Sequence, residues 1–288
     1  MISFYLMSLK GYRVLEEVIK SFGPAIISEV ISEKDPNVSK DYYEEIAQLC
    51  RASTIPFFRR KDKTSPTGKY QIAISWRWLI ADSASLIVIH DSLLPKYRGF
   101  NPLVTALING DDTIGVTALF ATEEFDGGNI IYQASVPVAY PITIAQAIDK
   151  VSACYIEVVR RICNDIMENR ALPSVVQDET KATFSLWRDE KDYHLKWDQP
   201  AEVIKRTIDA TGFPYRGAMA LIDGTPVRII EAEVGNDLVI SNREAGKVIF
   251  IKQAVPHVVC GSGILKILRM EDETQNTFTL TRVRNRFE

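Results

Sequence analysis

Residues suited to metal or disulfide chemistry are scarce in this chain. Its 288 residues include three histidines and four cysteines, and no two cysteines form a Cys-x-x-Cys pair, so a zinc site is not expected. Most of the cysteines lie in apolar stretches typical of helices or strands, which favours free buried thiols in a reducing compartment. We therefore expect neither a metal site nor a disulfide framework. The cysteines are Cys50, Cys154, Cys163 and Cys260.

Long apolar runs and an excess of positive charge are missing as well. No apolar run is long enough to span a bilayer. At the N-terminus the apolar residues precede the basic ones, which is the reverse of a secretion signal. The formal net charge is −3, so no overall basic field points to nucleic acid. These absences favour a cytoplasmic protein that is not embedded in a membrane.

Strand-like and helix-like periods alternate over the first 170 residues. Hydrophobic residues make up 46% of the chain and charged residues 25%, which is ordinary for a globular protein. The alternation predicts a parallel or mixed sheet covered by helices on both faces. The predicted strands are 2–7, 25–31, 54–58, 70–75, 85–89, 114–120 and 130–138. The predicted helices are 11–21, 42–52, 103–109 and 144–169.

The pattern changes after residue 171. One more helix is predicted at 201–210, and short strands punctuated by glycines follow it, which is typical of a small barrel of the oligonucleotide/oligosaccharide-binding (OB) type. We expect a first domain over 1–180, a linker over 181–204 and a barrel domain over 205–288. The predicted barrel strands are 218–222, 227–234, 238–240, 247–251, 257–259, 265–269 and 278–282.

The residues that carry chemistry lie between 87 and 128. An apolar strand ends at His90, where open α/β sheets place their ligands. The next loop holds Pro95, Lys96 and Arg98 and suits an anionic group such as phosphate. Asp126-Gly-Gly predicts a turn that returns a carboxylate to His90 and orients the imidazole. Taken singly, each feature has an ordinary alternative: a structural histidine, a solvated basic loop and a simple turn.

The order of these motifs resembles the folate-dependent formyltransferases. His-Asp-Ser-Leu-Leu-Pro-Lys-Tyr-Arg-Gly at 90–99 precedes Asn-Gly-Asp-Asp at 109–112 and Asp-Gly-Gly at 126–128. Glycinamide ribonucleotide, methionyl-tRNA and nucleotide-sugar formyltransferases share this signature. Residues 213–218 and 261–267 resemble the methionyl-tRNA and sugar branches. The resemblance implies an α/β, Rossmann-like formyltransferase domain with a mostly parallel central sheet, followed by a small OB-like β-barrel.

The resemblance also implies roles for individual residues. His90 and Asp126 would be catalytic, with His90 moving a proton or stabilising an oxyanion and Asp126 setting its state. The cosubstrate would be 10-formyltetrahydrofolate, with no metal. Two segments would bind it, largely through backbone groups: Trp76, Trp78, Leu79 and Ile80, and Glu123, Glu124, Phe125 and Asp126. The predicted substrate-binding residues are Ser92, Lys96, Arg98, Asn101 and Tyr215, with Lys96 and Arg98 for a diphosphate and Tyr215 for a base.

One position departs from the family pattern. An asparagine normally stands two residues before the histidine, and that position is Val88 here. Loss of one oxyanion donor costs about 10²–10³ in rate, or roughly 3–4 kcal/mol. Three interpretations stay open: Asn101 or Ser92 donates instead, protonated His90 acts alone, or the protein binds its ligands without turnover.

The branches of the family differ in the amine that accepts the formyl group. Methionyl-tRNA enzymes carry a long basic insertion after the second strand, whereas residues 33–40 here are few and not net basic. Phosphate contacts dominate tRNA affinity, so nucleic acid is not the expected partner. Residues 74–80 and 182–188 resemble the sugar branch, which also suggests a homodimer. We expect a nucleotide-linked amino sugar, with methionyl-tRNA, a small amine, or binding without catalysis as alternatives.

Overall fold

The computed structural model describes residues 1–63, 65–80 and 85–288, which divide into two compact units. The first unit consists of Met1–Leu103, Asp112–Val138 and Gln146–Leu186. The second consists of Val104–Asp111, Ala139–Ala145 and Trp187–Glu288. The division after residue 186 lies inside the stretch 181–204 that was predicted as a linker.

Strands and helices alternate through the first unit. The strands are β1 Ile2–Leu6, β2 Ile27–Ser32, β3 Phe57–Arg59, β4 Tyr70–Ile74, β5 Leu86–His90, β6 Arg98–Gly99, β7 Thr113–Phe120, β8 Ile130–Pro137 and β9 Phe184–Ser185. The helices up to residue 167 are α1 Ser8–Phe22, α2 Tyr43–Ala52, α3 Pro102–Asn109 and α4 Ile144–Met167. Among the described residues, no helix has the length and apolar content that a membrane crossing requires.

The main sheet has seven strands in the order β3-β2-β1-β4-β5-β7-β8. The five strands from β3 to β5 are parallel, and β7 and β8 are antiparallel at one edge. All five residues of β1 are buried, as expected for a strand covered on both faces. Helix α1 buries Val14, Leu15 and Val18, one apolar stripe. The structure confirms the mostly parallel α/β sheet.

The second unit is built on one antiparallel sheet. Its elements are α5 Ala201–Thr211, β10 Ala218–Ile222, β11 Thr225–Gly235, β12 Val248–Lys252, β13 Val255–Val259 and β14 Ile264–Glu271. The strand order is β10-β11-β14-β13-β12. The C-terminal residues then bridge both edges, since Glu288 exchanges two 2.9 Å backbone hydrogen bonds with Leu221 and Phe287 N–H donates to Gly246 O at 2.8 Å. This tail continues the hydrogen bonding from one edge of the sheet to the other.

Two predicted strands of this unit are wrong. Residues 238–240 and 278–282 form no strand. Val239 is fully exposed, and the Leu238 carbonyl accepts a hydrogen bond from the Arg243 side chain rather than from a neighbouring strand. Phe278 N–H donates to Met270 O at the end of a short pairing with β14 that also includes Asp272 N–H to Asn276 O. Short apolar runs become strands only where a partner strand is available.

Candidate active site

The two predicted catalytic residues lie side by side in the first unit. His90 is the last residue of β5 and is 7% exposed. Its Nδ1 lies 3.4 Å from Oδ2 of Asp126, and its Nε2 lies 2.8 Å from the carbonyl oxygen of Tyr97. Both ring nitrogens therefore face acceptors, so an imidazolium at this position has an acceptor for each of its N–H groups. The arrangement suits a group that holds a positive charge during a reaction.

The loop between β7 and β8 brings Asp126 back to the sheet. Asp126 has φ of 54°, a left-handed conformation that only a few residue types adopt readily. Its Oδ2 accepts a 2.8 Å hydrogen bond from Gly99 N–H. Gly128 packs so tightly that an added Cβ would lie 1.8 Å from the Phe120 carbonyl oxygen. The Asp-Gly-Gly sequence thus supplies a carboxylate and the close backbone approach that directs it to His90.

Hydrogen bonds inside the loop after His90 determine its shape. Ser92 Oγ donates to the Lys96 carbonyl at 2.6 Å. Thr117 Oγ1 donates to the Ser92 carbonyl at 2.7 Å and accepts from Leu94 N–H at 3.0 Å. Because the only hydroxyl proton of Ser92 is used within the loop, this side chain has none left for an oxyanion. Lys96 is exposed, with its ammonium 4.7 Å from the centre of the Tyr97 ring.

Arg98 is predicted from the sequence to hold a diphosphate, whereas in the structure its side chain binds other residues of the protein. Its side chain is 4% exposed, and its two terminal nitrogens donate to the Glu179 carboxylate at 2.8 and 2.7 Å. Its Nε and Nη2 also donate to Gln177 Oε1, at 3.1 and 2.8 Å. The hydrogen bonds with Glu179 raise the pKa of Arg98 and lower the pKa of Glu179. The guanidinium is committed to the protein itself.

Sequence reasoning missed Gln177, Glu179 and Thr183, which lie in the irregular stretch after α4. Thr183 Oγ1 accepts from Tyr97 N–H at 2.8 Å, and its carbonyl accepts from Arg98 N–H at 2.8 Å. Their local sequence carries no periodicity, so only their contacts reveal that they support the loop from Ser92 to Gly99.

The first predicted folate segment follows β4 and is rich in aromatic contacts. The Trp76 ring lies 5.1 Å from those of Tyr5 and Trp78, and Arg60 stacks 4.8 Å over Trp78. Among residues 1–63, 65–80 and 85–288, Trp76 Nε1 is buried without a hydrogen-bond partner. Leu79, by contrast, is almost fully exposed. A buried donor without a partner is uncommon, and it fits a site that receives an acceptor from a bound heterocycle.

Val88 continues this apolar surface toward His90. Alternate residues of a strand face the same side, so Leu86, Val88 and His90 share one face of β5. Leu86 belongs to a buried apolar cluster against which Val88, Trp76 and Ile80 pack. The position that holds asparagine in the family pattern is therefore part of an apolar wall here.

The second predicted folate segment is mostly exposed. Glu123 and Glu124 are exposed, and the exposed Phe125 ring lies 5.9 Å from that of Phe100. Asn101 follows Phe100 with φ of 49°, in the first unit.

The last predicted substrate-binding residue, Tyr215, is half-buried and belongs to the second unit. The structure thus gathers most of the predicted site residues in one unit and puts Tyr215 in the other.

The four cysteines of the chain are free and buried, and burial raises the pKa of the Cys50, Cys163 and Cys260 thiols to about 12. Within residues 1–63, 65–80 and 85–288, no group of three or more His, Cys, Asp or Glu side chains is placed to hold a metal ion.

Known proteins match this chain in sequence and in fold. The methionyl-tRNA formyltransferase of Syntrophomonas wolfei is 28% identical over 240 residues, which are 81% of this chain and 75% of that protein. The N-formyltransferase of Helicobacter canadensis, in complex with folinic acid and dTDP-3-aminofucose, has a TM-score of 0.70 at 18% identity, over 92% of this chain and 98% of that one. HypX from Aquifex aeolicus, in complex with tetrahydrofolic acid, has a TM-score of 0.62 at 17% identity over 97% of this chain.

This chain spans 45% of the HypX chain, and at these identities the structural likeness shows a shared fold. Two family models match the sequence directly. The model described as formyl transferase matches residues 69–158, and the one described as formyl transferase, C-terminal domain, matches residues 188–288. Since the two models together cover more than half of the chain, and the first includes both His90 and Asp126, this chain belongs to the formyl transferase family.

Proposed function

We propose that this protein transfers a formyl group from 10-formyltetrahydrofolate to the amino group of a nucleotide-linked amino sugar. Family membership supports the transferase activity and the folate cosubstrate. The choice of acceptor rests on the charges around residues 33–40, described below. In this reaction 10-formyltetrahydrofolate supplies the formyl carbon that the acceptor amine attacks.

His90 and Asp126 are the proposed catalytic pair. The amine loses a proton as it attacks, and N10 of the departing tetrahydrofolate gains one. His90 can hold the proton at Nδ1, which faces Asp126, because Nε2 already donates to the Tyr97 carbonyl. The Asp126 carboxylate, 3.4 Å from Nδ1, stabilises the imidazolium and fixes the orientation of the ring. The 2.8 Å hydrogen bond from Gly99 N–H keeps that carboxylate in place.

Asn101 is the proposed replacement for the missing asparagine. Val88 cannot donate a hydrogen bond, and the Ser92 hydroxyl donates to the Lys96 carbonyl. Asn101 carries a carboxamide and follows, by two residues, the Gly99 that binds Asp126. Replacing Asn101 with alanine should lower kcat by about 10²–10³ if it donates to the developing oxyanion. An unchanged kcat would leave that role to His90 alone.

The aromatic surface after β4 is the proposed site for the pterin. Backbone groups of Trp78, Leu79 and Ile80 would form hydrogen bonds with the edge of the pterin ring. The buried Trp76 Nε1 offers a further donor. Next to Asp126 in the chain, the exposed Phe125 ring and its partner Phe100 would offer an apolar face for the aromatic part of the folate.

The observation that carries the choice of acceptor is the balance of charge after β2. Four cations on or near this segment each lie within 4 Å of a carboxylate. Residues 33–40 themselves carry two cations and two anions, so this segment offers no net positive charge to a tRNA backbone. The pairs are Lys34–Glu44, Lys40–Glu45, Arg59–Glu33 and Arg77–Asp35. A nucleotide sugar carries one diphosphate, for which Lys96 supplies an exposed cation.

The second candidate acceptor is methionyl-tRNA, favoured by the 28% identity to an enzyme of that name. The salt dependence of affinity distinguishes the two acceptors, because an enzyme that contacts many phosphates loses affinity steeply as salt is added. The deciding experiment is a formyl-transfer assay at two salt concentrations. It compares nucleoside-diphosphate amino sugars with methionyl-tRNA and includes His90→Ala.

We expect turnover on an amino sugar, a KM that changes little with salt, and loss of kcat in His90→Ala. Transfer to methionyl-tRNA alone would replace the sugar proposal. Folate binding without transfer to any amine would favour the third candidate. This is a binding protein that does not catalyse transfer because Val88 stands in place of the asparagine. The homodimer that the sugar branch suggests is measured separately by light scattering in solution.

A further inference from the structure

Gln177 joins two loops that the catalytic pair depends on. Its side chain is 5% exposed. The Nε2 group donates to the carbonyl oxygens of Asp126 at 2.6 Å and Gly128 at 2.7 Å. The Oε1 atom accepts from two nitrogens of Arg98, at 3.1 and 2.8 Å. One carboxamide thus uses both donors on the Asp126 loop and its acceptor on the loop after His90.

The backbone around Gln177 is held on both sides. Val175 exchanges two hydrogen bonds with Ile130 at the start of β8, at 2.8 and 2.9 Å. Strand β9 pairs with β6, and Glu179 makes its bidentate pair with Arg98. Gln177 therefore presents its carboxamide from a segment that is tied to the edge of the main sheet and to the loop.

Besides Gln177, Gly99 N–H binds Asp126 Oδ2 at 2.8 Å and Thr122 Oγ1 donates to the Glu124 carbonyl at 3.0 Å. Glu123, Glu124 and Phe125 are exposed, and Asp126 itself is left-handed with φ of 54°. Within the loop, Gly127 N–H reaches the Glu124 carbonyl at 3.4 Å, a long hydrogen bond. A left-handed backbone is kept only where the surroundings determine it. The two bonds from Gln177 to the carbonyls on either side of Gly127 meet that requirement.

We propose that Gln177 is a positioning residue for Asp126, with Arg98 as its partner. It maintains the backbone conformation that keeps the Asp126 carboxylate 3.4 Å from His90 Nδ1. The effect on catalysis rests on the proposed function, whereas the effect on loop conformation does not. Arg98 thereby stabilises the Asp126 loop through its hydrogen bonds with Gln177 and does not bind the phosphates of the acceptor.

Gln177→Glu is the sharpest perturbation, because it changes hydrogen-bond roles and leaves size unchanged. The new carboxylate still accepts from Arg98 but turns an oxygen, in place of the NH₂ group, toward the carbonyls of Asp126 and Gly128. We expect kcat to fall about 10- to 100-fold, since small misplacements of catalytic groups are costly. The KM for the folate should change by less. Lys181→Ala is the matched control, as the side chain of this exposed residue pairs with the exposed Asp178.

A double-mutant cycle with Asp126→Asn distinguishes positioning from general destabilisation. If Gln177 acts through the Asp126 carboxylate, Gln177→Glu lowers kcat far less in the Asp126→Asn background than in the wild type. Equal fold-losses in both backgrounds would overturn the proposal. If Gln177→Glu does not fold, Glu179→Gln weakens the same network from its exposed end and takes its place in the cycle.

Hydrogen–deuterium exchange gives a readout that needs no activity. We expect Gln177→Glu to speed amide exchange in peptides covering 121–129 and to leave β1 and β4 unchanged, with Lys181→Ala like the wild type. Unchanged exchange at 121–129 would overturn the inference whether or not the wild type transfers formyl groups. A wild type without transfer activity, combined with faster exchange in the variant, would instead overturn the proposed function alone.

Discussion

Replacing Asp126 with asparagine tests the catalytic pair most directly. The amide oxygen of asparagine can still accept the hydrogen bond from Gly99 N–H, so the loop keeps its main side-chain contact. What is lost is the negative charge beside His90. The same Oδ2 also faces Nδ1 of His90, so the amide oxygen takes over both contacts. It carries only a partial negative charge, and it therefore stabilises the imidazolium less than a carboxylate does.

The distance between the two groups sets the size of the effect. Opposite unit charges 3.4 Å apart interact with about 5 kcal/mol at an effective dielectric constant of about 20. Water near the partly exposed loop reduces this, and we take about 2–3 kcal/mol as the loss in the transition state. Since about 1.4 kcal/mol corresponds to a factor of ten, kcat should fall about 30- to 160-fold.

The assay is steady-state formyl transfer, with thermal unfolding measured on the same samples. Asp112→Asn is the control, because Asp112 is exposed and its carboxylate accepts a hydrogen bond from the neighbouring Thr113. We expect a reduced kcat, a nearly unchanged folate KM and an unchanged melting temperature for Asp126→Asn. A kcat equal to that of the wild type would refute the assignment of Asp126 as the partner of His90.

Three further predictions concern the fold and the folate site. Glu29→Gln should lower the free energy of unfolding by about 2–3 kcal/mol at pH 7. Burial alone would raise the pKa of Glu29, but hydrogen bonds from Ser3, Thr67 and Lys63 outweigh it and lower the pKa. Because the folded pKa lies below the unfolded value of about 4.3, this stabilisation is complete above that value and is lost as the pH falls through the folded pKa. The difference between variant and wild type in urea unfolding should therefore shrink in acid, and a constant difference would contradict it. Gly128→Ala should cost about 1–3 kcal/mol through the clash of its Cβ with the Phe120 carbonyl, and a wild-type melting temperature and kcat would show that the loop adapts. Phe125→Ala should raise the folate KM several-fold with little change in kcat, and an unchanged KM would remove this ring from the site.

Parts of the site that depend on neighbouring residues could be predicted from the sequence. The apolar run ending at His90 predicts a buried strand with a titratable residue at its carboxyl end. Asp126 followed by two glycines predicts a turn that returns a carboxylate. Both rest on local backbone preferences, so they do not need the tertiary structure.

The partners of Arg98 could not be predicted from the sequence. From the sequence it is a cation in a loop, free to bind phosphate. In the structure it is buried against Gln177 and Glu179, about 80 residues further along the chain. No local pattern reports a pair at that separation, because it depends on the path of the whole segment after α4.

The sequence by itself determined the alternation of strands and helices, the mostly parallel sheet and the presence of an antiparallel second unit. Hydrophobic periodicity records which face of each element is buried, so it carries this information. The tertiary structure alone decided that Ser92 uses its proton within its loop, that Val88 joins the apolar wall of Trp76, and that the C-terminal tail bridges two strand edges. Those outcomes depend on which groups meet across long stretches of chain, and burial then requires that each polar group there find a partner.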